Sequence, residues 1–204
     1  ILPPWMKDEP AEGSIPIIIE PKSAFGTGHH PTTTMCLEAM TLLHRAGILK
    51  AGQRFLDMGT GTGILGIGCV KLGLSGFGAD IDPLSISNSR ENCAVNGVSS
   101  EFDIQEGSVE LVQGQTFDVV IANILAGPLK EMAPQLMPLV KPGGCLILSG
   151  FLSVQVPGMV EAYAAMGRAG ELRMPSPASD PTRSASSENP EADDWVCMYW
   201  PRVN

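Results

Sequence analysis

From Asp57 the chain reads Asp-Met-Gly-Thr-Gly-Thr-Gly, which places Gly59, Gly61 and Gly63 at every second position. Glycine lets the backbone approach a ligand closely and take up left-handed turns. A helix opening at the last of the three would add the partial positive charge of its N-terminus. About twenty residues further on stands Asp80, with Asp82 beyond it. A carboxylate at that position can accept hydrogen bonds from both hydroxyls of an adenosine ribose. The spacing therefore points to a nucleoside site. A glycine-rich turn with no ligand is the weaker account, because three alternating glycines cost backbone entropy without a structural need.

Two readings fit the loop taken alone. Residues 61–66 spell Gly-Thr-Gly-Ile-Leu-Gly, the dinucleotide fingerprint G-x-G-x-x-G, which would suit a nicotinamide-dependent oxidoreductase. Counted from Gly59, the first glycine after the strand, the third glycine of that fingerprint falls in the wrong place. The run is then D-x-G-x-G-x-G, the form found in methyltransferases that use S-adenosylmethionine. The loop alone favours the second reading without closing the first.

The elements needed to position these residues can be read from the pattern. Arg54–Met58 is a short apolar strand ending in glycines, and 64–72 a helix whose Gly66 and Gly68 permit close packing. A strand over 76–81 and a helix over Pro83–Asn96 follow, with Asp82 as its N-cap and Gly97 as its stop. Residues 117–122 and 145–149 are buried strands, the second after the turn at residues 141–144. Helices are expected from about Pro128, distorted at Pro134, and over 154–166. Upstream, Pro31 opens a helix that runs to about Ala46 and stops at Gly47. The run Ile17-Ile18-Ile19 reads as one short strand within a linker over 1–24, and Trp195–Trp200 as a closing core strand. Residues 175–192, polar and proline-rich, read as a flexible loop. Strand, glycine turn and helix in alternation predict an α/β fold with a mostly parallel sheet.

Bulk properties narrow the partners. The 204 residues are 44% hydrophobic, enough for one buried core and a single domain. Thirteen Lys and Arg against 22 Asp and Glu give a net charge of −9, and the basic residues are scattered. Direct binding of nucleic acid is not expected from such a surface. Five cysteines, at 36, 69, 93, 145 and 197, form no Cys-x-x-Cys pair; they read as small core residues in a reducing, cytoplasmic setting. No run is apolar enough to span a membrane. The chain starts at Ile1 rather than Met, so it reads as a fragment or as a chain whose earlier residues are not included.

Two flanking segments carry more. One is residues 24–33, Ala-Phe-Gly-Thr-Gly-His-His-Pro-Thr-Thr. The other is residues 117–129, Phe-Asp-Val-Val-Ile-Ala-Asn-Ile-Leu-Ala-Gly-Pro-Leu. With the glycine loop and Asp80-Ile81-Asp82-Pro83, they resemble the ribosomal protein methyltransferase family that modifies large-subunit protein eleven, from about Trp5 to Tyr163. The resemblance implies a class I, Rossmann-like methyltransferase fold. That is a mostly parallel seven-stranded sheet with helices on both faces, here as a catalytic domain over 25–204. It implies S-adenosylmethionine as donor, with cofactor contacts at Thr33, Gly59, Asp80 and Asn123 and with Gly61 and Gly63 completing the loop. It implies protein amines, mainly lysine side chains, as acceptors, and a ribosomal protein as partner. Relatives also carry a separate N-terminal domain that presents the substrate, and this chain begins at the linker corresponding to its end. His29 departs from the pattern, since many relatives have threonine there.

Elementary chemistry fits these roles. A lysine ammonium has no lone pair and must lose its proton before it can attack a methyl group. Asn123, the expected catalytic residue, ends a strand beside the expected methyl position. Its carbonyl oxygen, and the backbone oxygen after it, could accept hydrogen bonds from the neutral amine and so orient its lone pair. The competing account of Asn123 is a loop cap, and that of Thr33 a helix N-terminal hydroxyl. His29 and His30 invite a metal reading, but no third ligand is evident and none is expected; shaping the active-site lid, or accepting a proton, suits them better. A cofactor-binding module without catalysis of its own stays open as an alternative.

Overall fold

The computed structural model describes residues 1–6, 11–20, 28–175 and 194–203. The expected loop over 175–192, apart from Pro175, and the expected motif residues 24–27 lie outside the described residues. Seven strands form one sheet: β1 Arg54–Met58, β2 Ser75–Asp80, β3 Phe102–Glu106, β4 Phe117–Asn123, β5 Val140–Leu152, β6 Gly170–Met174 and β7 Trp195–Trp200. Their order is β3-β2-β1-β4-β5-β7-β6. Strands β3, β2, β1, β4 and β5 pair in parallel, while β7 runs antiparallel to both β5 and β6. The α/β class and the mostly parallel, seven-stranded sheet are as expected.

Five helices cover the sheet: α1 Pro31–Arg45, α2 Ile64–Lys71, α3 Pro83–Asn96, α4 Ala126–Leu136 and α5 Val156–Ala162. Strand residues alternate between two apolar layers, as a two-residue repeat requires. Phe55, Val119, Ile121, Ile147 and Cys197 face the layer that contains residues of α1, α2 and α3. Leu56, Met58, Val120, Ala122, Leu146, Leu148 and Trp200 face the layer that contains residues of α4 and α5. All five cysteines are free and buried, and all belong to the first layer. The closing strand is core, with Val196 and Cys197 at 0% exposure and Trp200 at 1%. No described helix is long and apolar enough to cross a membrane.

Several expectations are corrected. The isoleucines at 17–19 do not form a sheet strand. Ile18 makes a single parallel bridge with Leu2, and all three side chains are buried. The helix expected over 154–166 is three pieces, 3-10 turns at Ser153–Gln155 and Ala164–Met166 around the short α5. Pro157 and Gly158, poor interior helix formers, sit in its first turn. Helix α4 starts two residues before Pro128 and continues past Pro134 to Leu136. Strands β3 and β6 were not anticipated.

Candidate active site

In an open parallel sheet, ligands bind beyond the carboxyl ends of the strands, where the strand order reverses. Here that reversal lies between β1 and β4, whose ends are in register at Met58 and Ala122. The next residues out are Gly59 on one side and Asn123 on the other. The topology thus brings the glycine loop and the candidate catalytic amide to one crevice.

The loop's backbone is left-handed at all three glycines, with φ of 72° at Gly59, 55° at Gly61 and 81° at Gly63. Gly59 is needed for a second reason. A β-carbon there would collide with the Ile124 side chain, which lies over it. Gly63 is the N-cap of α2 and packs on Ser89 of α3, where a β-carbon would come within 3.1 Å. Gly59 N–H and Thr60 N–H both donate to the Ala79 carbonyl, at 2.8 and 3.0 Å, tying the loop to β2.

Asp80 meets the loop directly. Its Oδ2 accepts from Gly61 N–H at 2.9 Å and its Oδ1 from Asp82 N–H at 3.0 Å. Each carboxylate oxygen has room for a further donor. Asp82 caps α3 as expected, its Oδ1 accepting from Leu84 N–H and its Oδ2 from Ser85 Oγ–H, both at 3.0 Å.

On the other side, Asn123 Nδ2 donates to Thr33 Oγ1 at 3.3 Å. Asn123 Oδ1 is buried and has no hydrogen-bond partner. Thr33 is 0% exposed, so its hydroxyl works inward, holding the amide. The turn after Asn123 is braced twice more. Ile124 N–H donates to the Ser149 carbonyl at 3.1 Å, and Gly150, with φ of 100°, packs against the Ile124 peptide. His30 is the N-cap of α1: its Nδ1 accepts from Thr32 N–H at 3.3 Å and lies 2.8 Å from Thr32 Oγ1. Its ring meets the edge of Trp195 at 4.8 Å. His29 is exposed beside it. Among the described residues no group of three or more His, Cys, Asp or Glu is placed to hold a metal.

Asp57 has a larger role than opening the motif. It is 1% exposed, and its Oδ2 accepts from Thr60 Oγ1–H at 2.8 Å and from Gly66 N–H at 3.0 Å. One oxygen thereby joins the loop to the first turn of α2, while Oδ1 is buried without a partner. Burial pushes its pKa up from 3.8 to about 6 against the pull of those two donors, and the nearby Asp80 charge adds to the rise. The signal in the sequence was a carboxylate inside the apolar strand Arg54–Met58. Ile124 and Gly150 gave no comparable signal, because each matters only through a partner distant in the chain.

Comparison with known proteins identifies the family of the chain. The family described as ribosomal protein L11 methyltransferase (PrmA) matches residues 1–171. A Haemophilus ducreyi protein named ribosomal protein L11 methyltransferase is 44% identical over 167 residues, covering 81% of this chain and 55% of its own length. An Escherichia coli protein of the same name is 42% identical over 165 residues, covering 80% and 54%. The chain thus spans about half the length of the curated relatives it matches. The crystal structure of a ribosomal protein L11 methylase from Lactobacillus delbrueckii superposes with a TM-score of 0.72 at 29% identity, covering 99% of this chain and 93% of that one. An RNA methyltransferase from Salinibacter ruber, solved with S-adenosyl-L-homocysteine, shares the fold at a TM-score of 0.52 and 20% identity, over 80% of this chain and 89% of that one. With a family match over most of its length and relatives above 40% identity, the chain belongs to the ribosomal protein L11 methyltransferase family.

Proposed function

We propose that this chain is the catalytic part of an S-adenosylmethionine-dependent methyltransferase. It would methylate protein amines, chiefly lysine side chains, with ribosomal protein L11 as the acceptor that the relatives' name suggests. The catalytic domain would span residues 25–204, after a linker over 1–24, with acceptor presentation assigned to a separate N-terminal domain. The observation that carries the reading is the buried, unpartnered Asn123 Oδ1 at the crevice between β1 and β4. A buried acceptor with no donor is costly unless a ligand supplies one.

The residues present fit the donor. Asp80 would take the ribose hydroxyls on the lone pairs left over from Gly61 and Asp82. The backbone of residues 59–63 would lie against the nucleoside, and Thr33 would act through the Asn123 amide it holds. When bound, S-adenosylmethionine supplies a methyl group on a sulfonium, which is reactive enough to need alignment more than activation. Asn123 Oδ1 would accept an N–H of the neutral amine and fix the direction of its lone pair. Such orientation can account for a large share of a barrier reduction. No strong base is required, because the ammonium proton can leave to water before the amine enters.

The test is a calorimetric titration with S-adenosylmethionine and, side by side, with NAD. Heat with the first only is expected; no heat and no thermal shift with S-adenosylmethionine at millimolar concentration sinks the proposal. Asp80→Ala is expected to weaken cofactor binding tenfold or more. Asn123→Ala should leave that affinity nearly unchanged and slow methyl transfer by about tenfold, the worth of one hydrogen bond of about 1.4 kcal/mol. Labelled donor in a ribosomal extract separates an enzyme, which labels protein, from a module that only binds the nucleoside.

A further inference from the structure

We infer that Asn92 and Asn96 on α3 couple the N-terminal strap, residues 17–20, to the glycine loop, so that seating the strap and filling the nucleoside site favour each other. The inference deepens the cofactor reading above and rests on it for its second half only.

The strap buries its three isoleucine side chains, and its backbone is bonded along both edges. Along one edge, Leu2 N–H donates to the Ile17 carbonyl at 2.9 Å and Ile19 N–H donates to the Leu2 carbonyl at 3.0 Å. On the other edge there is no strand among the described residues. Asn96 stands in for one: its Oδ1 accepts from Ile18 N–H at 2.9 Å and its Nδ2 donates to the Ile18 carbonyl at 2.7 Å. One turn earlier on the same face of α3, Asn92 Oδ1 accepts from Glu20 N–H at 3.2 Å. The same Asn92 side chain donates from Nδ2 to the Thr62 carbonyl of the glycine loop at 2.9 Å. Asn92 is 3% exposed, and Asn96 Nδ2 also bonds its carbonyl at 2.8 Å. A path of four residues thus runs from Ile18 through Asn96 and Asn92 to Thr62.

Two features make this more than fold support. An amide has its donor and acceptor on one rigid plane, so Asn92 cannot rotate to follow the strap without moving its bond to Thr62. The strap also borders a cleft. A cavity of about 510 Å³ lies where residues 13–15 and Ile17 pass over Leu37 and Met40 of α1 and Leu72. A segment tied on one edge by side-chain amides in place of a strand ladder is of the kind that opens locally before the sheet does. Linkage then requires reciprocity: what the strap does to nucleoside affinity, the nucleoside does to the strap.

The test is amide hydrogen exchange on the whole chain. Asn96→Ala touches the strap and not the loop. In ligand-free protein it is expected to speed exchange at Ile18 and Glu20 and also, at least threefold, at Gly61 and Gly63, with Leu148 in β5 unchanged as a control for global loosening. Faster exchange at the strap alone overturns the coupling. In the unaltered chain, saturating S-adenosylmethionine should slow exchange at Ile18 and Glu20, and Asn92→Ala should remove that effect and raise the cofactor Kd about fivefold, the lower end of common coupling strengths. Bound cofactor with no change at the strap also overturns it. If calorimetry shows no cofactor binding, the cofactor reading fails, and the Asn96→Ala comparison still decides whether strap and loop are coupled.

Discussion

On the proposed activity, Gly150→Ala is expected to lower the rate of methyl transfer at least a hundredfold while leaving cofactor affinity within about tenfold of the unaltered chain. Gly150 is far from the glycine loop in sequence and carries no functional group, yet two costs fall on the same atom. Its φ of 100° belongs to a region that residues with a side chain occupy only under strain, at about 1–3 kcal/mol. A β-carbon there would land on the Ile124 carbonyl, with the Ile124 carbonyl carbon at 2.7 Å and its nitrogen at 3.0 Å. All of these are backbone atoms, so no side chain can swing aside. The sheet has already been shaped around this point, since the pairing of β5 with β7 shifts register between Ser149 and Phe151. The change that relieves the overlap is a shift of the Asn123-Ile124 turn, and a misplacement of about 1 Å in a reacting geometry costs on the order of a hundredfold. Single-turnover transfer to ribosomal protein L11, the proposed acceptor, beside a calorimetric Kd, reads the two effects separately. A transfer rate within threefold of the unaltered chain would show that the turn does not set the geometry. Equal losses in rate and affinity would show that the shift passes through Ile124 into Gly59.

That second outcome has a structural basis, which bears on how far the sequence could be read. The glycine loop and Asp80 stood out by local signatures, alternating glycines and an acid after a strand, and Asn123 through the family resemblance of residues 117–129. The reasons behind them did not stand out. Gly59 makes room for Ile124, Gly63 for Ser89, and Thr33 holds Asn123 from 90 positions away. Such pairings exist only once the sheet order has brought β1, β4 and α1 together. The fold divides in the same way. Strands β1, β4 and the inner part of β5 are buried on both faces and read as apolar runs. Strands β3 and β6 lie at the two ends of the sheet order, where eight of their ten residues are exposed or partly exposed; Phe-Asp-Ile-Gln-Glu and Gly-Glu-Leu-Arg-Met have no apolar run to find. The three isoleucines at 17–19 misled for the converse reason. They are apolar because they seal the edge of a layer, while the Ile18 backbone is bonded by the Asn96 side chain and Ile17 and Ile19 bond the backbone of Leu2.

Asp57 shows what positioning the loop costs the fold, and its titration gives the effect a measurable sign. The carboxyl has a pKa of about 6 in the folded chain against an ordinary 3.8, chiefly through burial. Between those values the folded chain holds a proton that the unfolded chain has released. Stability from this group is therefore fully present below about pH 3.8 and is lost as pH rises through 6. At about 1.36 kcal/mol for each pH unit between the two values, the loss amounts to about 3 kcal/mol. Asp118 acts in a different window. Partial burial pushes its carboxyl up, but the Arg54 N–H and the Lys141 ammonium together hold it below the usual value, so its contribution is lost only as pH falls below that of a free carboxyl. Asp57→Asn keeps an oxygen for Thr60 Oγ1–H and Gly66 N–H and removes the charge. The stability difference between this variant and the unaltered chain should therefore vary with pH, most in the variant's favour above pH 6.5 and shrinking by about 3 kcal/mol as pH falls toward 4. Urea unfolding at intervals across that range measures it. A difference that stays flat with pH would mean that Asp57 titrates normally and that its unpartnered oxygen is not secluded from water. When ionised, Asp57 gives Thr60 and Gly66 charge-assisted hydrogen bonds, a stronger anchor for the loop than the neutral amide of the variant.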